Sequence, residues 1–213
     1  MLLTLHPSAL LDAVVRFCKL ALFVALTPYW LVLLLPVTKA VLKQDVGTLW
    51  RHVEQKPLGK WLFSMVFSSV TPFNGILDAS VRELSAQRCV VAVKTTGCLF
   101  NPFGSLHLGA QCALAELPTG LMVFMQAAGT EGGVKAFSFA PTKVESEYSR
   151  MARGTVLAEC SLDHSASGLF DDVGEAPVEH TFTVTLRDEQ LGLIVSTHSV
   201  TWRLRRRVLK KNE

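Results

Sequence analysis

The chain is poor in the residue patterns that announce a metal or a disulfide framework. It has five cysteines, an odd number, and none forms a CxxC pair. A disulfide scaffold and a zinc knuckle are both excluded by that spacing. Its six histidines are scattered singly, without an HExxH pair, so no metal site is expected. Charge is also scarce in one place. Between Asn101 and Thr130 the run NPFGSLHLGAQCALAELPTG and its continuation carry a single formal charge, Glu116. A carboxylate on an otherwise apolar helix is costly to desolvate, so it marks either a reactive group or a structural pair.

Basicity is absent from the body and concentrated at the end. The formal net charge is +3, but residues 203–213 hold six Lys/Arg and one acid, leaving 15 basic and 17 acidic groups elsewhere. A nucleic-acid partner is not expected, because the tail lacks interleaved aromatics. The tail suits anionic lipid or an acidic protein face, or is a solvated strand end.

The N-terminal part contains the longest uncharged run. Residues 20–38, LALFVALTPYWLVLLLPVT, carry no charge and are flanked by Arg16, Lys19, Lys39 and Lys43. At about 1.5 Å per residue such a helix nearly spans a hydrocarbon core. Pro28 would kink it, so a kinked span, a re-entrant segment and an interfacial helix remain open, as does packing on a protein partner. Residues 1–54 are therefore read as a helical, membrane-associated extension. The compartment this suggests is a membrane, with the mitochondrial inner membrane one possibility. Between Lys43 and Thr71 the pattern is that of one or two amphipathic helices, punctuated by Gly47 and Pro57.

From Gly75 the period changes. LDASVRELSAQRCVVAVKTT reads as two strands turning at Ser85–Arg88. A turn-rich loop follows, then a helix from about Ser105 to Ala128, with an apolar stripe of Ala110, Ala113, Leu114, Leu117 and Leu121. Four strand-like segments then cover roughly 134–148, 154–163, 178–187 and 191–204, the last two turning at Asp188–Gln190. No crossover helix separates them. The predicted fold class is α+β, one long helix wrapped by a mostly antiparallel sheet, over residues 55–205, with 206–213 as a basic tail.

That element order, with Asn101, Gly104, His107, Gly109 and Glu116 at their spacing, resembles the hotdog fold of acyl-CoA thioesterases, in particular the phenylacetyl-CoA thioesterase-like branch. The stretch from PLGKWLFSMVFSSVTPFNG through RMARGTVLAE is similar to a hotdog-like family of unassigned function. The resemblance covers roughly residues 55–205. It implies a homodimer, or pairing with a hotdog-like partner, in which the acidic residue of one subunit faces the helix start of the other. It also implies Glu116 as general base or nucleophile, Asn101 holding water or thioester, and Thr142 as an assisting hydroxyl. No cofactor is implied beyond a coenzyme A thioester as substrate or ligand.

The residues give physical content to these roles. A helix start offers free N–H groups and the positive dipole end, so the amides of Leu108 and Gly109 are candidates for an oxyanion hole. Glu116 lies seven residues after Gly109, on the same helix side but at the flank of the core stripe. His107 reads as a helix-start residue bonded to backbone, and Asn101 equally as a turn former. Lys143, Arg150 and Arg153 are the cations available to a phosphate.

Two departures from the pattern matter. Leu108 stands where the family has glycine, and its side chain crowds a thioester's approach. Pro118 removes the helix bond to the Leu114 carbonyl. The first reading is a dimeric, membrane-associated acyl-CoA thioesterase-like protein acting at a dimer-interface site. The alternative, which these departures favour, is a catalytically silent accessory subunit of a membrane complex, and acyl-CoA binding without turnover is a third reading.

Overall fold

Alternation of apolar and polar residues in the C-terminal half produces strands that bury one face on a single helix. The computed structural model describes residues 15, 16, 19, 46–162 and 168–207. Within residues 46–162, three short helices precede the first strand: α1 (Val46–Val53), α2 (Gly59–Val70) and α3 (Pro72–Leu77). Strands β1 (Ser80–Leu84) and β2 (Arg88–Lys94) follow, then the long helix α4 (Leu108–Ala128). The chain ends in β3 (Phe137–Tyr148), β4 (Thr155–Ser161), β5 (Val178–Asp188) and β6 (Ile194–Arg206). The six strands form one sheet in the order β1-β2-β4-β5-β6-β3, with every ladder antiparallel. The helix-in-sheet architecture expected from the sequence is therefore present.

Several boundaries move. Helix α4 begins at Leu108 rather than near Ser105, because the polar groups of Asn101 and Ser105 organise a turn instead. Gly47 does not interrupt the N-terminal helices: it lies inside α1, where a Cβ would sit 3.4 Å from the Met125 side chain. The last hairpin turns over residues 189–193, not at Asp188–Gln190, with Asp188 Oδ1 accepting the N–H groups of Gln190 and Leu191. The segment 20–38 and residues 208–213 lie outside the described residues. Among those described, the one helix long and apolar enough to cross a membrane is α4, and it fills the core.

Inward residues of the sheet, among them Val91, Val93, Val156, Val184, Val200 and Trp202, close on Leu114, Leu121 and Met122 of α4. Such burial is the main favourable term in folding, at about 25 cal/mol per Å² of apolar surface. Ala110 and Ala113 of the predicted stripe are only half-buried, while Ala115, Met122 and Val123 are buried. The core does not stop at residue 55. Leu49, Trp50 and Val53 of α1 are buried in it, and Trp50 packs edge-on against Phe63 with ring centroids 5.0 Å apart. Gly59 is obligatory where α1 hands over to α2, since a Cβ there would collide with the Val53 carbonyl.

The two sheet edges are treated differently. At β1 the edge is covered by α2: Ser64 Oγ accepts from Val81 N–H at 2.9 Å, and Lys60 Nζ donates to the Arg82 carbonyl at 2.8 Å. At the other end β3 pairs, among the described residues, with β6 on one side only, and nine of its twelve residues are exposed. A long open edge is a template for another strand.

Candidate active site at the start of the long helix

The loop from Phe100 to His107 is folded by Asn101. Its Oδ1 accepts from Phe103 N–H (3.0 Å) and Ser105 N–H (3.1 Å), and its backbone N–H donates to the Ser105 carbonyl at 2.8 Å. Gly104 takes the left-handed φ of +69° that this tight turn requires. The oxygen of the Asn101 amide is thus committed to backbone, and its NH₂ group remains for a ligand.

His107 caps α4. Its Nδ1 accepts from Gly109 N–H at 3.0 Å, and its carbonyl accepts from Gln111 N–H at 3.0 Å. The structural alternative for His107 is therefore the observed arrangement. It also changes the oxyanion-hole expectation: the Gly109 amide is already engaged, whereas the first-turn N–H of Leu108 has no intrahelical acceptor. The Leu108 side chain is 52% exposed at this helix start, where the sequence pattern placed its crowding effect.

A cleft of about 430 Å³ opens at the same place. Its wall includes Asn101, Leu108, Gln111, Tyr148 and Arg150, and Arg150 is its one charged side chain. Glu116 is not among the lining residues. It lies seven residues beyond Gly109, about 10 Å along the helix at 1.5 Å per residue. Glu116 is exposed on the helix surface, its carboxylate has no hydrogen-bond or ion-pair partner among the described residues, and desolvation by the surrounding atoms raises its pKa above the usual 4.5. Backbone anchoring of this position is firm. Thr119 Oγ1 donates to the Glu116 carbonyl at 2.7 Å and accepts from Trp202 Nε1–H at 2.9 Å. Helix α4 continues through Pro118, which is buried.

Thr142 is elsewhere. It sits at the β3 bulge, donates to the Thr201 carbonyl at 3.3 Å, and lines a depression with Glu179, Thr181 and Arg203. By strand alternation these residues belong to the sheet face turned away from α4. Thr142 and the helix start are therefore not brought together within the chain.

Sequence reading missed a buried polar group beside the cleft. Gln111 Nε2 donates to the Leu106 carbonyl (2.9 Å), and Ser196 Oγ donates to Gln111 Oε1 (2.8 Å). His198 bridges Ser196 through Nε2 (2.9 Å) and Ser146 through Nδ1 (2.7 Å). Cys112 Sγ lies 3.6 Å from Ser146 Oγ and 3.3 Å from Tyr148 Oη. Burial lowers the His198 pKa to about 4, so the imidazole is neutral near pH 7. Strand alternation, which places Ser196 and His198 on the inward face of β6, was the signal available. Among the described residues no group of three or more His, Cys, Asp or Glu could hold a metal ion, and Cys89, Cys98, Cys112 and Cys160 are free thiols.

Comparison with known proteins fits this architecture. The profile of a domain of unknown function, DUF4442, matches residues 59–204. Comparison with curated proteins found no match. Among solved structures, PA5026 from Pseudomonas aeruginosa, a protein of unknown function described as a probable thioesterase, superposes with a TM-score of 0.58. It is 21% identical, with 68% of this chain and 93% of that chain covered. The thioesterase SAV0944 from Staphylococcus aureus gives a TM-score of 0.51 at 18% identity, covering 63% and 99%. That structure carries a glutamine-to-alanine substitution, and a second structure of the same protein carries a glutamate-to-alanine substitution fifteen positions later. The thioesterase PA1618 from Pseudomonas aeruginosa gives 0.53 at 16% identity, covering 67% and 92%. At these identities the likeness shows the fold alone, a hotdog fold.

Proposed function

We propose, from the premise that the chain belongs to the DUF4442 family and has a thioesterase-like hotdog fold, that it hydrolyses acyl thioesters, with coenzyme A thioesters as the substrate class. The observation that carries this reading is the Glu116 carboxylate: without a partner among the described residues, its pKa raised by desolvation, and its backbone carbonyl held by Thr119, which Trp202 holds in turn. A raised pKa makes a carboxylate a stronger general base. The spacing adds support. Asn101 and Glu116 are fifteen residues apart, as are the glutamine and glutamate replaced in the Staphylococcus thioesterase.

The reaction needs two chains. A base must come within about 3 Å of its water or proton, or reach it through one water. About 10 Å of helix separates Glu116 from the free amide of Leu108 in one chain. A second copy, paired along the open β3 edge, supplies the missing half. The thioester carbonyl is then polarised by the Leu108 N–H and the α4 dipole, with the Asn101 NH₂ holding substrate or water. Glu116 of the other copy removes the proton as water attacks. The carbon–sulfur bond breaks, the departing thiolate takes the proton that Glu116 removed from water, which restores the base, and the acid departs from the Leu108 amide. Residues 20–38 attach the dimer to a membrane.

The exposed Leu108 side chain and the occupied Gly109 amide favour a second reading, a catalytically silent accessory subunit of a membrane complex. Thiol release from a panel of acyl-CoAs separates the two. Activity in the full chain, lost in a folded Glu116→Gln variant, supports hydrolysis. An inactive full chain that co-purifies with a larger assembly supports the accessory role.

A further inference from the structure

The polar chain beside the cleft has a direction. The Leu106 carbonyl can only accept, so Gln111 turns its NH₂ toward it and its Oε1 toward Ser196. Ser196 spends its one proton on that oxygen and must accept from His198 Nε2–H. The neutral imidazole then has its lone pair on Nδ1, which takes the Ser146 proton at 2.7 Å. Ser146 has only acceptor capacity left, and Cys112 S–H fills it; the sulfur in turn accepts from Tyr148 O–H. This is the one polarity in which every contact of the chain, Cys112–Ser146 included, is a hydrogen bond with one donor and one acceptor. Leu106, Gln111, Ser196, His198, Ser146, Cys112 and Tyr148 thus form a one-way relay with both ends in the cleft wall.

The consequence falls on Tyr148. Its proton points back toward Cys112, so its phenolic oxygen offers lone pairs, and no proton, to anything entering the cleft. The ring is held edge-on to His198, centroids 5.7 Å apart, while the residue is 42% exposed. No carboxylate lines the cleft to compete as acceptor. A ligand that satisfies this oxygen must bring an N–H or O–H.

We propose that Tyr148 is a substrate-positioning residue that accepts a hydrogen bond from an amide N–H of a pantetheine arm, with the His198 relay fixing its polarity. This rests on the thioester reading above and deepens it. The thiol arm of a coenzyme A thioester carries amide N–H groups, the nearer one separated from sulfur by two methylenes. A thioester carbonyl at the Leu108 amide places that arm along the cleft wall formed by Tyr148 and Arg150. Ser196, His198 and Ser146, none of which lines the cleft, act through Tyr148.

The test uses two non-hydrolysable S-alkyl thioethers and the full-length protein. One carries the pantetheine amide; in the other an ester oxygen replaces the amide N–H. Isothermal titration is expected to show wild type preferring the amide ligand by about tenfold, the usual worth of one such bond. Tyr148→Phe should remove that preference without weakening the ester ligand. Cys112→Ala, which frees the phenol proton to turn outward, should reduce the preference, and Cys112→Ser should restore it. Equal affinities for both ligands in wild type, an unchanged preference in Tyr148→Phe, or no binding of either ligand overturns the proposal. Thiol release from acyl-CoA by the same samples reports separately on hydrolysis: turnover with no amide preference keeps the enzyme and discards the Tyr148 subsite.

Discussion

Glu116 and Gly109 lie on the same side of one helix, seven residues and about 10 Å apart, with the Gly109 amide already held by His107 Nδ1. The carboxylate and the helix start of one chain therefore cannot act on one carbonyl. The β3 edge, uncovered among the described residues while the β1 edge is sealed by Ser64 and Lys60, is where the proposed second chain would bring them together.

The Leu108 amide can be removed without breaking the helix. Proline is tolerated at the first helical position, and His107 has the extended φ/ψ of −59°, 143° that a following proline requires. Leu108→Pro is expected to fold with unchanged circular dichroism and to lose about a hundredfold or more in kcat, the usual cost of one oxyanion donor. Full activity in that variant would show that the amide is not used.

Desolvation raises the Glu116 pKa, so its base form is lost as pH falls through a value above 4.5. The acid limb of the kcat/KM profile should accordingly have its midpoint above 4.5, and Glu116→Asp should move or flatten it. A limb at or below 4.5 would assign the proton to another group.

His198 governs stability at mildly acid pH. Its folded pKa of about 4 is below the ordinary 6.5, so the unfolded chain binds a proton that the folded chain refuses. The stabilisation is complete above pH 6.5 and disappears as pH falls toward 4, by on the order of 3 kcal/mol. Urea unfolding at pH 7.5 and pH 4.5 should show this loss in wild type and a smaller one in His198→Gln. Equal losses in both proteins would remove His198 from the account.

The handover between α1 and α2 depends on a missing side chain. Gly59→Ala pushes a Cβ into the Val53 carbonyl and should cost about 1–3 kcal/mol, although alanine is the better helix former. An unchanged midpoint in urea would mean that the two helices are free to separate.

The fold was legible because its signals are local. Period-two alternation marked β5 and β6, a turn marked β1 and β2, and an uncharged stripe marked α4. What escaped depends on contacts distant in sequence. Nothing in the spacing of Gln111, Ser146, Ser196 and His198 announces that they meet, since three elements must fold first. Asn101 was visible as a residue of interest, but its division between turn oxygen and free NH₂ follows from the geometry of its own loop. Gly109 was expected to offer its amide, and the His107 cap takes it, a competition that helix periodicity does not contain. Thr142 was carried by resemblance alone, and the β3 bulge sends it to the other sheet face.

Mixed dimers test the central claim most directly. Glu116→Gln and Leu108→Pro chains, each inactive alone, are unfolded together in equal amounts and refolded, and thiol release from an acyl-CoA is measured. If each site combines Glu116 of one chain with the helix start of the other, half the dimers are mixed and each holds one intact site. The account predicts about a quarter of wild-type activity from this two-chain site. Activity no greater than that of the separate variants would contradict it.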